Sequence, residues 1–185
     1  MKLNMKLKIT LVFVVLAIAF TYAVFKGNYF SFSFAPKRPV AVTEELSPEQ
    51  LFDGLKAAVV RDYKGAPLLL ADDLFMPQKP VVVHLWASWC GPCVNEVPEL
   101  IEFAHKNPEV TFIVVSLDEE SEDIAKFMKS FPEFDSNRFI RVWDKDNALA
   151  KFINADRLPM SAVVRSDRAR VQMIKSVVDW NNFEL

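Results

Sequence analysis

Two periods of apolar residues divide the chain. Val81-Val82-Val83-His84-Leu85-Trp86 is apolar on both alternating faces, the pattern of a central strand covered on both sides. Beyond Cys93 the spacing turns helical: Val94, Val97, Ile101 and Ala104 form a stripe flanked by Leu100 and Phe103. Pro98 inside this helix removes the hydrogen bond to the Val94 carbonyl, so a kink is expected there, and Asn107-Pro108 ends the helix. Val110 to Ser116 is the next buried strand. Asp118 is then expected to cap a helix with the stripe Ile124, Phe127, Met128 and Phe131. Its early Glu119, Glu120, Glu122 and Asp123 and its later Lys126 and Lys129 suit the helix dipole. Phe139 to Trp143 reads as a strand, Asp146 to Ile153 as a short helix, and Ser161–Arg165 with Arg170–Val177 as a closing hairpin. Upstream, Ser47-Pro48-Glu49 opens a short helix through Leu55. Ala57–Arg61 and Ala66–Leu70 read as two short strands joined at Tyr63-Lys64-Gly65. Strands alternating with helices and ending in a hairpin describe an α/β fold, a sheet with helices on both faces.

The N-terminal end has neither period. Ile9 to Phe25 is seventeen residues without a charge, between Lys8 and Lys26. As a helix it would be about 25 Å long, at the short end of what spans a bilayer. The apolar core of a cleaved signal is usually shorter, and the small-residue pattern Ala17-Ile18-Ala19 falls in mid-run. An uncleaved anchor over 1–26 is the favoured reading, with a cleaved signal as the alternative. In both, Lys2, Lys6 and Lys8 keep the N-terminus in the cytoplasm and the bulk of the chain crosses. Tyr29, Phe30, Phe32 and Phe34 are either interfacial aromatic rings or plain linker. The linker runs over 27–48, with Pro36, Pro39 and Pro48, and a single domain over 49–185 follows.

Charge sharpens this division. Residues 1–40 hold six of the 22 Lys and Arg and no acidic residue. The other 145 residues therefore carry 16 basic against 24 acidic groups, a net of −8. An acidic domain without a basic patch argues against nucleic acid as a partner.

The chemistry lies in Trp89-Cys90-Gly91-Pro92-Cys93, which contains both cysteines of the chain. A C-x-x-C between a strand and a helix reads as a dithiol/disulfide redox pair. A zinc site needs four ligands at set spacing, and His84 and His105 are not placed to complete one. A c-type haem site needs His directly after the second Cys, where Val94 stands. A purely structural disulfide would close so short a loop that it could restrict the unfolded chain little. No cofactor or metal is expected. Cys90 precedes the helix, where free N–H groups and the dipole favour its thiolate, so it is the expected attacking thiol. Cys93, one turn inside, would resolve the mixed disulfide. Gly91-Pro92 is expected to make the tight turn that lets the sulfurs bond.

Glu96 lies three residues after Cys93 on the same helical side. It is either a buried proton partner of Cys93 or a surface carboxylate near a helix N-terminus. His84 shares a strand face with Val82 and Trp86. It either assists proton transfer beneath the disulfide or is a satisfied core histidine. Trp89 either shields the disulfide and meets partners or simply packs.

From Ala57 to Trp180 the chain resembles the membrane-anchored, extracytoplasmic thioredoxin-like oxidoreductases, the TlpA/ResA-like family associated with cytochrome c maturation. The residues that carry the resemblance run from Trp86-Ala87-Ser88-Trp89-Cys90-Gly91-Pro92-Cys93 to Val94-Asn95-Glu96-Val97-Pro98-Glu99-Leu100. The resemblance implies a thioredoxin-like fold with a central mixed sheet flanked by helices, and an inserted helix–strand unit over 118–143. It implies that Pro159 is a cis proline facing Cys90, with Leu158 offering backbone groups to an extended substrate. It also implies dithiol/disulfide exchange with protein substrates, apocytochrome c thiols among them, and a membrane electron donor. The setting it implies is the bacterial inner membrane with the domain facing the periplasm. His84, Leu158 and Met160 depart from the family pattern, the turn Ser166-Asp167-Arg168-Ala169 lacks the usual glycine, and a final helix should begin near Asp179.

A reductase is the leading reading. A periplasmic oxidase or isomerase on the same fold is one alternative. Copper(I) delivery through Cys90, Cys93 and a histidine is another, and a redox-inactive interaction module a third.

Overall fold

The computed structural model describes residues 4–26, 46–75 and 79–185. Residues 27–45 of the expected linker, with Tyr29, Phe30, Phe32 and Phe34, lie outside them, while Ser47 and Pro48 belong to the start of a helix. The chain divides into two compact units, residues 1–38 and 39–185.

The first unit contains helix α1, Met5–Lys26. Its described side chains, Thr10 to Phe20 and Tyr22, are all exposed. Among the described residues no helix is long and apolar enough to cross a membrane.

The second unit is built on a seven-stranded sheet. Its strands are β1 (Val60–Arg61), β2 (Pro67–Leu68), β3 (Val81–Trp86), β4 (Thr111–Ser116), β5 (Phe139–Trp143), β6 (Met160–Val164) and β7 (Val171–Ile174). They stand in the order β2-β1-β5-β4-β3-β6-β7. The pairs β3–β4 and β4–β5 are parallel, while β1–β5, β3–β6 and β6–β7 are antiparallel, so the sheet is mixed. The helices are α2 (Pro48–Ala57), α3 (Gly91–Lys106), α4 (Ser121–Ser130) and α5 (Ala148–Phe152).

All six residues of β3 are buried, as its two-faced apolar pattern requires. Val81, Val83 and Leu85 join one core layer with Leu51 and Leu55 of α2 and Leu149 of α5. Val82 and Trp86 join the other with Leu100 and Phe103 of α3 and Phe127 of α4. Each such fully buried Leu or Phe contributes about 1.5–3 kcal/mol relative to exposure. His84 alternates with Val82 and Trp86 and so sits on the face that α3 covers. β3 therefore feeds directly into the loop carrying Cys90, and α3 returns over it.

Several local expectations are corrected. Asp118 is not a helix cap: Glu120 holds that position for α4, without a side-chain cap bond. The strands at 57–61 and 66–70 shrink to two residues each, since Asp62 ties the intervening turn by accepting from the N–H groups of Lys64 and Ala66. In the β6–β7 turn Arg168 adopts the left-handed region (φ 51°) where glycine was expected. A 3-10 turn at Trp180–Asn182, not a full helix, follows Asp179.

Candidate active site

Ser47 closes a capping box at the start of α2, but the N-cap of α3 is the cysteine itself. Cys90 Sγ accepts the Cys93 N–H at 3.3 Å, and Pro92 occupies the first turn. A thiolate here would thus receive a backbone N–H and the positive end of the helix dipole. Cys90 and Cys93 are joined as a disulfide. Cys90 retains 6% exposure and Cys93 none, so access is one-sided. A Cβ added at Gly91 would meet nothing within 4 Å. The turn does not depend on glycine at 91, and what its bare backbone leaves is open surface beside Cys90.

A cavity of about 620 Å³ opens beside the disulfide. Trp89, Cys90, Gly91 and Pro92 form one side, Leu117 and Glu119 follow β4, and Ala155, Asp156, Arg157 and Leu158 precede β6. The Leu158–Pro159 peptide bond is cis. Leu158 lines the cavity and Pro159 is buried behind it. Trp89 is 69% exposed, so it is a surface ring of the cavity and not a core residue.

Between β3 and α3 the structure assembles a buried polar group. Glu96 is 2% exposed, and its Oε2 accepts the Val178 N–H at 2.9 Å. The surface-carboxylate alternative is excluded. His84 is fully buried, its Nδ1 lies 2.9 Å from Ser161 Oγ, and its Nε2 stands 3.3 Å from Glu96 Oε1. Neither of the last two atoms makes a well-formed hydrogen bond. Burial holds the Glu96 carboxyl up at about 7; the Val178 N–H and the Trp180 indole oppose the rise, and Glu99 adds to it. Burial alone holds His84 down at about 4. Both displacements favour the uncharged forms; near neutrality His84 is a neutral imidazole while Glu96 divides between carboxyl and carboxylate, so the two do not form an ion pair. Trp180 closes the group from the C-terminal side, its ring edge-on to His84 at 6.1 Å.

Among the described residues no three His, Cys, Asp or Glu are grouped to hold a metal ion. His84 is committed to Ser161 and Glu96, and His105 lies in the last turn of α3.

Residues 78–169 match the family described as thioredoxin-like. The second unit has a thioredoxin-like fold. It is similar to the thiol-disulfide oxidoreductase ResA of Bacillus thuringiensis subsp. konkukian (strain 97-27), at 31% identity over 117 residues. That match covers 63% of this chain and 65% of that protein, so the chain spans less than two-thirds of the relative's length. Among solved structures it resembles a secreted disulfide oxidoreductase of Mycobacterium tuberculosis, with a TM-score of 0.57 and 22% identity over 70% of this chain and 92% of that one. It also resembles StoA from Bacillus subtilis, with a TM-score of 0.51 and 18% identity over 66% and 90% of the two chains. These likenesses establish the fold.

Of the residues singled out from the sequence, the structure sets Cys90 and Leu158 on one cavity and brings His84 against Glu96 in the core. Sequence reasoning missed Ser161, Asp118 and Tyr63. Ser161 meets His84 only through the β3–β6 register, which sets the two residues opposite each other. Tyr63 is a turn residue in sequence, yet its hydroxyl accepts the Trp86 indole N–H at 2.9 Å and donates to the Val114 carbonyl at 3.1 Å.

Proposed function

We propose that this chain is a thiol-disulfide oxidoreductase that reduces protein disulfides outside the cytoplasm. The observation that carries the reading is the asymmetry of the pair. Cys90 opens onto a groove at a helix N-terminus, whereas Cys93 is sealed from solvent, three residues before the buried Glu96 on the same helix. In the reduced form the Cys90 thiolate attacks a substrate disulfide. A Cys90–substrate S–S bond forms, and one substrate thiolate leaves. The Cys93 thiol passes its proton to Glu96, and the resulting thiolate attacks Cys90 Sγ. The mixed disulfide breaks, the second substrate thiolate leaves, and the domain ends oxidised with Glu96 protonated. A carboxyl held at about 7 suits both halves of this proton exchange near neutral pH. His84 stays neutral and stands against Glu96 as its proton-sharing neighbour. Leu158 and the cis Pro159 present backbone beside Cys90, where an extended substrate segment would add along the groove. Trp89 gives that segment an apolar contact.

The electron supply is a membrane dithiol donor, which returns two electrons and two protons to the pair. Apocytochrome c thiols are one substrate the family resemblance suggests. The uncharged run Ile9–Phe25 supports a membrane anchor over 1–26, with the acidic domain beyond the membrane. The fold likeness to a secreted oxidoreductase is in keeping with that location. Insulin reduction tests the function directly. The wild-type domain is expected to turn over insulin disulfides with a dithiol donor, and Cys90→Ser to abolish turnover. A wild type no faster than the donor alone would refute the reading. A reduction potential near that of DsbA, about −120 mV, would reverse the direction to oxidase.

A further inference from the structure

The loop that carries the nucleophile is gripped by a second buried carboxylate, apart from Glu96. Asp118 follows β4 and is 1% exposed. Its Oδ1 accepts the Ser88 backbone N–H at 3.0 Å and the Ser88 hydroxyl at 2.7 Å. Its Oδ2 lies 3.1 Å from the same N–H and accepts the Ser116 hydroxyl at 2.8 Å. The main chain of Asp118 is held as well: its N–H donates to Ser116 Oγ at 3.1 Å, and its carbonyl accepts the Trp143 indole N–H at 2.7 Å. Every bond to the side chain comes from a donor, the arrangement of an acceptor-only carboxylate. A capping Asp would have served the helix that follows it. This one reaches across the C-terminal ends of the paired strands β4 and β3 to the segment Ala87–Cys90, where the Cys90 N–H also donates to the Ala87 carbonyl at 3.1 Å. Its chain neighbours, Leu117 and Glu119, line the groove.

We propose that Asp118 is a positioning residue for thiol-disulfide exchange, acting through Ser88. It fixes the loop that aims Cys90 Sγ at the groove, and its buried negative charge restrains ionisation of the Cys90 thiol. The residue thereby ties the groove wall and the nucleophile loop to one carboxylate. The role deepens the oxidoreductase reading and rests on it. A like charge close to a titrating group disfavours its charged form, so Asp118 offsets part of the help that the helix N-terminus gives the Cys90 thiolate. Fixing the loop acts separately, on the geometry of attack, where small misplacements cost large factors in rate.

The two effects separate experimentally. Alkylation of Cys90 by iodoacetamide is followed against pH in a Cys93→Ser background, and insulin turnover is measured with both cysteines present. Asp118→Asn is expected to lower the alkylation midpoint by about one pH unit and to slow insulin turnover about tenfold. Ser88→Ala keeps the charge, so its midpoint stays at the wild-type value while turnover falls; Ser88→Thr, which restores the hydroxyl, recovers most of that loss. The proposal is overturned if Asp118→Asn keeps the wild-type midpoint, whether turnover is unchanged or falls only in step with a lowered melting temperature. Wild-type protein inactive towards insulin would refute the oxidoreductase reading instead, and the alkylation midpoints would still decide the electrostatic role of Asp118.

Discussion

Removing either partner of the His84–Glu96 pair should uncover a pH dependence of stability that the intact pair hides. Glu96 sits at about 7 in the folded protein against an ordinary value of 4.5. Between those values the unfolded chain has released a proton that the folded protein keeps, so Glu96 makes stability fall as pH rises. His84 sits at about 4 against an ordinary 6.5. Between those values the unfolded chain binds a proton that the buried imidazole refuses, so His84 makes stability rise with pH. From pH 4.5 to 6.5 both slopes apply, each about 1.4 kcal/mol per pH unit and opposite in sign. Folded and unfolded chains then hold one proton between the two groups, and the sum is flat. The assay is urea unfolding of the oxidised protein at a series of pH values, with the disulfide keeping both cysteines out of the titration. Relative to wild type, Glu96→Gln should gain on the order of 3 kcal/mol from pH 4.5 to 6.5, and His84→Asn should lose a similar amount. Burial is the leading cause of both displacements, so each survives loss of the partner. Stability differences from wild type that do not change with pH in either variant would refute the single-proton account of the pair.

Two further outcomes follow from the surroundings of the site. Tyr63→Phe leaves the Trp86 indole N–H and the Val114 carbonyl without their hydroxyl partner. It should lower unfolding stability by about 1–3 kcal/mol in a denaturant titration, with little change in insulin kcat. Trp89→Ala removes an exposed groove ring and no core contact. It should raise KM for a peptide disulfide severalfold while leaving the melting temperature at its wild-type value.

What the chain reveals before folding follows the range of the interactions. The two-faced run Val81–Trp86 and the stripe after Cys93 are local patterns, and they became β3 and α3 at the expected places. The redox pair was legible because two cysteines at that spacing admit few other uses. The burial of Glu96 was not legible, since it depends on the Val178 N–H 82 residues away and on the Trp180 ring. The commitment of His84 to Ser161 likewise depends on pairing across 77 residues. Asp118 shows local reasoning outvoted: an Asp ahead of a helical stripe is a reasonable cap, but two hydroxyls and a backbone N–H at the C-terminal ends of β3 and β4 offered its carboxylate more donors than the helix did.

The central claim is that Cys90 alone makes the bond to substrate. Reduced Cys93→Ser and Cys90→Ser proteins, incubated with the same peptide disulfide and quenched with acid, can be weighed by mass spectrometry for the mixed disulfide. Cys93→Ser should accumulate one peptide on Cys90, and Cys90→Ser should show almost none, because Cys93 is sealed from solvent. Equal trapping on the two cysteines, or trapping mainly on Cys93, would contradict the account.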